Sequence, residues 1–246
     1  MVDIKFIHGD CLEEMPKLQD HSIDMILCDL PYGTTACKWD VVIPFEPLWK
    51  EYRRLIKDNG AIVLTASQPF TTDVINSNRK MFRHEVIWEK SMFSNPFMAK
   101  KQILKKHENV LVFYKRQPTY NPQMEAGTPY TDKARPGSLQ LQGAKGRMKL
   151  AINNNGTRYP TSVLRFNNGN NGNLHPTQKP VALFEYLIRT YTNKGDTVLD
   201  NCAGSGTTGI AAFNTKRNAI LIEKDEIYFN AAKERFDRET RQVAMW

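Results

Sequence analysis

Val198-Leu-Asp200-Asn-Cys-Ala-Gly204-Ser-Gly206-Thr-Thr-Gly209 reads as a strand, a tight glycine turn and the first turn of a helix. Glycines at such a turn let the backbone approach a ligand, and the helix start offers free N–H groups. Glu223 closes the next β-rich run, 17 residues after Gly206. A carboxylate at that strand end can accept both hydroxyls of a ribose. The segment therefore predicts a nucleotide-type site on an α/β sheet.

Two ligands compete for it. Gly204-x-Gly206-x-x-Gly209 formally matches the dinucleotide fingerprint, which keeps NAD open, although a bare match is weak. No P-loop lysine follows the turn, which removes ATP. Asp200, four residues before Gly204, weighs against a pyrophosphate. It suits the ammonium of an amino-acid moiety, as in S-adenosylmethionine. A glycine turn with no ligand is the third reading.

The rest of the chain alternates in the same way. Ile4–Ile7, Ile23–Cys28 and Ala61–Thr65 read as buried parallel strands. Apolar residues at 45, 48, 49, 52, 55 and 56 make a helical stripe that stops before Asn59-Gly60. Val86–Trp88 and Val110–Tyr114 are two further strands. Helices are expected over Val181–Tyr191, Thr207–Phe213 and about Ile227–Arg238, with strands at Thr197–Asp200 and Ala219–Glu223. This alternation predicts a doubly wound, mostly parallel α/β sheet. Only 23 residues follow Glu223, so the other strands must precede the glycine motif, a circularly permuted order. Between about 116 and 173 the pattern dissolves into Asn-rich stretches, seven glycines and repeated proline. A loop of that length inside a domain predicts a binding element or small module.

Composition bounds the partners. The chain has 246 residues, 41% of them hydrophobic, enough for one large domain or a domain with an insertion. The longest uninterrupted apolar run is five residues, Val110–Tyr114, too short to span a bilayer. Asp3 and the lack of an apolar stretch after Met1 argue against a secretory signal. Cys11, Cys28, Cys37 and Cys202 form no C-x-x-C pair, which excludes a zinc ribbon and suits a reducing cytoplasm. No histidine spacing suggests a metal site. Net charge is +8, but 17 Lys/Arg against 5 Asp/Glu lie between Arg79 and Arg165, a balance of +12. The remainder carries 17 against 21, a balance of −4. A polyanion would be drawn to that one basic third, where counterion release favours binding.

Asp29-Leu-Pro-Tyr32 ends the second strand, and Gly33 follows. Taken alone, Asp29 is also readable as a strand-end cap. With His175-Pro-Thr-Gln-Lys-Pro180 and the Asp200–Thr207 element, however, the chain resembles the β class of DNA amino-methyltransferases, the adenine-N6 and cytosine-N4 enzymes. That family places a (D/N/S)-P-P-(Y/F/W) tetrapeptide first, then a target-recognition region, then the cofactor glycine motif. The likeness runs from Gly9-Asp10 through Glu223, with residues about 116 to 165 variable. It implies a methyltransferase domain of the S-adenosylmethionine-dependent type: a catalytic half at 1–115, a target-recognition insertion at 116–173 and a cofactor half at 174–246.

The chemistry of the resemblance explains the tetrapeptide. An exocyclic amine is a poor nucleophile because its lone pair is delocalised into the ring. Accepting hydrogen bonds from its N–H groups helps it become tetrahedral. Asp29 supplies one acceptor and the carbonyl of Leu30 the second. The family has Pro where Leu30 stands, a departure that spares the carbonyl. Pro31 stiffens the loop, and Tyr32 offers a flat face to a base drawn out of the duplex. In the family, Asp at the first position usually marks adenine N6 and Ser cytosine N4. Glu108-Asn109-Val110 matches the E-N-V of cytosine-C5 enzymes, but those need a Pro-Cys nucleophile that is missing here. Cys28 and Cys202 read as small packing residues.

Cofactor contacts carried over from the family are Asp10 for the adenine amine of S-adenosylmethionine, the Cys11 backbone for its ring, and Glu223 for the ribose. Asp200 and the turn Ala203, Gly204, Ser205, Gly206 and Thr207 would face the methionine part, with His175, Thr177 and Lys179 beside its carboxylate. For DNA, Lys100, Lys101, Lys105 and Lys106 line one strip, with Phe93 and Phe97 upstream as wedges. Arg147, Lys149, Arg158 and Arg165 are base-edge or phosphate readers. The expected function is methylation of adenine N6 at a specific short sequence in double-stranded DNA, in a bacterial or phage-encoded cytoplasmic enzyme. Cytosine N4, or an RNA or protein amide, is the alternative target. A binding module with a dead cofactor pocket is the rival from another class. A homodimer and a separately acting cognate restriction endonuclease are compatible partners; no membrane is.

Overall fold

The computed structural model of the chain describes residues 2–34, 40–132, 152–168 and 178–243. It divides into two compact units, residues 1–121 with 162–246, and residues 122–161.

In chain order the first unit begins with β1 (Ile4–His8), α1 (Cys11–Glu14), β2 (Ile23–Asp29) and α2 (Phe45–Leu55). Then come β3 (Ile56–Ala66), α3 (Phe70–Ser77), β4 (Phe82–Lys90) and β5 (His107–Phe113). The second unit holds four short strands: β6 (Glu125–Ala126), β7 (Tyr130–Asp132), β8 (Ile152–Asn154) and β9 (Thr157–Arg158). They pair antiparallel as β6 with β9 and β7 with β8. The first unit resumes with β10 (Val163–Phe166), α4 (Val181–Tyr191), β11 (Thr197–Asp200), α5 (Thr207–Thr215), β12 (Asn218–Glu223) and α6 (Glu226–Val243). Among the described residues no helix is long and apolar enough to cross a membrane.

Eight strands form one sheet in the order β1-β12-β11-β2-β3-β5-β4-β10. All pairings are parallel except those of β5, which runs against both β3 and β4. The period-2 alternation of β2 decides which side each residue serves. Ile26 and Cys28 pack with Leu48, Trp49, Tyr52, Phe70 and Val74 of α2 and α3. Met25 and Leu27 pack with Leu183, Leu187, Ala211 and Ala212 of α4 and α5. Both faces are covered, so the strand reads as a continuous apolar run. Truncating Leu27, fully buried, to Ala would cost about 2–5 kcal/mol.

The sequence expectation departs from the structure at Asn59-Gly60. The helical stripe ends at Leu55, and the strand starts at once with Ile56 in extended conformation. Asn59-Gly60 does not stop a helix; it lies in an irregularity of β3. Ile23 pairs with Ile56 but Met25 with Ala61, which leaves extra residues on the β3 side. A Cβ on Gly60 would stand 2.7 Å from the carbonyl oxygen of Asp24, so only glycine fits there. The sequence pattern predicts neither α1 nor α3, nor the strands β6–β10. The two helices are short, and the strands lie in the stretch without periodicity.

Candidate active site

Four carboxylates end four adjacent strands. Asp10 follows β1, Glu223 ends β12, Asp200 ends β11 and Asp29 ends β2. Register keeps the row together, because His8 pairs with Glu223 and Asp200 with Leu221. In open α/β sheets the crevice beyond the carboxyl ends of the strands is where ligands bind.

Each carboxylate is fixed by its own partners. Asp10 caps α1, its Oδ1 accepting the Leu12 N–H at 2.9 Å, and Lys224 donates to Oδ2 at 2.9 Å. Burial would raise its pKa, but the bonds from Lys224 and Leu12 outweigh burial and hold it below its ordinary value. Glu223 accepts the Gly204 N–H at 2.7 Å through Oε2 and the Asp225 N–H at 2.8 Å through Oε1. Burial raises its pKa. Asp200, 3% exposed, accepts from Thr208 Oγ1 and from the Cys202 N–H at 3.1 Å. Burial pushes its carboxyl up to about 6.

The glycine turn sits between Asp200 and Glu223. Gly204 adopts φ +50°, and a Cβ there would find no atom nearer than Cys202 O at 4.0 Å. That open space beside a carboxylate-held N–H fits the close approach of a ligand. Gly206 is the N-cap of α5. Ala203 is buried and donates its N–H to Ile222 O at 2.9 Å. Ser205 and Thr207 turn toward Arg235 of α6, whose Nη1 donates to Ser205 O, Ser205 Oγ and Thr207 Oγ1 at 3.0–3.2 Å. Arg235 is 3% exposed and braces the turn from behind. Tyr52 does the same from α2, donating to Asn201 Oδ1 at 2.6 Å. Neither residue carries a motif. Cys11 is buried as the first residue of α1, and the fully buried Cys28 thiol is pushed up to about 12 by burial.

The second half of the site surrounds Asp29. Its Oδ1 accepts from Tyr32 OH at 2.8 Å and from Thr65 Oγ1, and its Oδ2 accepts from Lys179 Nζ at 2.6 Å. Thr65 is the register partner of Asp29 on β3. Leu30 is buried, and the Tyr32 ring stacks on Phe70 with centroids 5.1 Å apart. Burial, then the charges of Asp29 and Glu108, push the Tyr32 phenol well above its usual range, so it stays a donor. Lys179 thus stands on Asp29 and, at 3.4 Å, on Glu108 Oε2. Lys90 of β4 grips the other oxygen of Glu108. Burial opposes both charges, but Asp29 and then Glu108 override it on the lysine, whose pKa is raised, and Lys179 and then Lys90 override it on Glu108, whose pKa is lowered.

Of the basic residues expected to meet DNA, Lys100 and Lys101 are exposed in the β4–β5 connection, near exposed Phe93 and Phe97. Lys105 donates to Ser67 Oγ, while Lys106 and Arg165 both pair with Glu89. Arg158 lies in the second unit, 4.6 Å above the Tyr130 ring and bonded to Asn154. Arg147, Lys149, His175, Thr177 and Cys37 lie outside the described residues.

A family model described as DNA methylase matches residues 23–234. The DNA adenine methyltransferase YhdJ of Escherichia coli (strain K12) is 31% identical over 94% of this chain and 82% of its own length. The type II methyltransferase M.HpaI of Haemophilus parainfluenzae is 25% identical over 97% of this chain and 76% of its own. A crystal structure of the M1.HpyAVI–SAM complex superposes with a TM-score of 0.64 at 25% identity, over 94% of this chain and 99% of that one.

Proposed function

The chain belongs to the N6/N4 DNA methylase family, and on that premise we propose that it methylates the N6 amine of adenine at a specific site in duplex DNA. It is a DNA methyltransferase whose methyl donor is S-adenosylmethionine. The donor supplies an electrophilic methyl group to the crevice. Asp10, Glu223 and the Gly204 turn are the groups that would hold it: two carboxylates for its amine and hydroxyls, and a backbone approach without a Cβ in the way.

One observation carries the choice of target. Asp29 is presented at the end of β2 with Oδ1 fixed by Tyr32 and Thr65, and its position begins the tetrapeptide as Asp and not Ser. The carboxylate and the Leu30 carbonyl accept the two N–H groups of the amine. Asp29, already accepting one of those N–H groups, would take the proton that the nitrogen sheds as it gains its methyl group. Tyr32, braced by Phe70, is the face against which the extruded base rests. Target recognition falls to the 116–173 insertion, with the β4–β5 connection and its Lys100 and Lys101 on phosphate. DNA from cells expressing the protein, digested to nucleosides and analysed by mass spectrometry, should contain N6-methyladenine. N4-methylcytosine in its place would overturn the target assignment while leaving the enzyme class intact.

A further inference from the structure

Lys179 occupies two things the target base needs. Its Nζ sits on Oδ2 of Asp29 at 2.6 Å, and it lies 5.6 Å from the centroid of the Tyr32 ring. An ammonium there makes the same kind of contact as the incoming exocyclic amine: an N–H donor to the carboxylate beside an aromatic ring. Both cannot donate to that oxygen in the same geometry.

The neighbouring glutamate explains how the conflict resolves. Glu108 holds Lys90 with Oε1, while its buried Oε2 has only a long 3.4 Å ion pair to Lys179 Nζ and no hydrogen bond of good geometry. A buried acceptor without a hydrogen bond is costly, and such groups call for an explanation. A change of the lysine's rotamer that carries Nζ off Asp29 and fully onto Glu108 would make that bond and free Oδ2 of Asp29. The lysine stem is flexible and its ammonium is a point donor, so the exchange needs no backbone motion.

We propose that Lys179 is a displaceable stand-in for the target amine, and that Glu108 is the positioning residue that takes the ammonium over when the base enters. This rests on Asp29 being the acceptor for that amine. Lys90, Lys179, Asp29 and Glu108, with Lys105 beside them, keep their charges in both arrangements, so the exchange moves a hydrogen bond and no net charge. Glu108 touches neither base nor donor; it acts through Lys179.

The test uses the full-length protein as wild type, Glu108→Gln, and Glu108→Gln with Lys179→Met. Single-turnover methyl transfer is measured beside affinity for a duplex carrying adenine opposite an abasic site, whose base leaves the stack at low cost. Glu108→Gln should trap the lysine on Asp29 and lower both the rate and the affinity by about 10- to 100-fold. Adding Lys179→Met should recover much of both losses, because the trapped group is gone. A structural role for Glu108 would make the double variant no better than the single one. Circular-dichroism spectra and melting curves identify variants that keep their fold. If Glu108→Gln fails there, Glu108→Asp with and without Lys179→Met takes its place. A double variant that stays as slow and as weak as its single parent overturns the proposal. Wild-type protein that binds the duplex but transfers no methyl group overturns the functional reading instead.

Discussion

Lys179 Nζ donates a 2.6 Å hydrogen bond to Oδ2 of Asp29 across 150 residues of sequence, joining the segment before α4 to the tip of β2. The bond ties the tetrapeptide to the cofactor half of the chain.

Asp29→Ala should lower the rate of methyl transfer by at least about 100-fold, the scale of losing one positioned transition-state group. Binding of S-adenosylmethionine should persist, because Asp10 and Glu223 stand on other strands. Tyr32→Ala should act on base capture, weakening it by about 1–3 kcal/mol of stacking. Single-turnover assays with labelled donor, run beside duplex binding, separate the two. Wild-type transfer by the Asp29 variant would make the tetrapeptide a structural turn.

Calorimetry should detect S-adenosylmethionine and its demethylated product, but not NAD. Glu223→Ala removes the acceptor of the Gly204 N–H as well as the hydroxyl acceptor, and should weaken the donor by about 10- to 100-fold. Micromolar affinity for NAD with none for the methyl donor would contradict the site.

Affinity for DNA should fall steeply with salt, log K changing by about −0.9 per log unit of salt for each phosphate neutralised. Lys100 and Lys101 are exposed, whereas Lys105 and Lys106 are already engaged by Ser67 and Glu89. Neutralising the first pair should flatten the slope more than neutralising the second, with sequence preference unchanged. Equal slopes for both double variants would place the contacts elsewhere.

Asp200 gives a pH signature. Its folded pKa of about 6 lies above the unfolded carboxylate value of about 4. Between them the native state holds more protons than the unfolded one, so this group's contribution to stability falls as pH rises from about 4 to about 6. Melting curves of wild type and Asp200→Asn should diverge across that window, the wild type losing stability relative to the variant as pH rises. Parallel curves would remove the burial effect assigned to Asp200.

The strands and carboxylates at their tips were legible because each belongs to a local pattern: Asp29 before Pro-Tyr-Gly, Asp200 before the glycines, Glu223 after an apolar run. What holds them in place was not. Thr65 reaches Asp29 only through sheet register, and Arg235 reaches the glycine turn only because α6 packs behind it. Lys90 and Glu108 meet because β4 and β5 pair antiparallel. No spacing along the chain encodes those encounters. In the sequence Glu108 belongs to an E-N-V triplet, and nothing along the chain marks it as the partner of Lys179.

Pairing of β1 with β12 brings together strands from opposite ends of the described chain. Among the described residues the edge strand β1 has a neighbour on one side only, and that neighbour is the last strand in chain order. Without β12 and β11, Asp10 and Asp29 would sit on strands that nothing joins. The row of carboxylates therefore exists only when the two ends of the chain share one sheet, and a break anywhere before β11 would divide the row even if every strand kept its own residues.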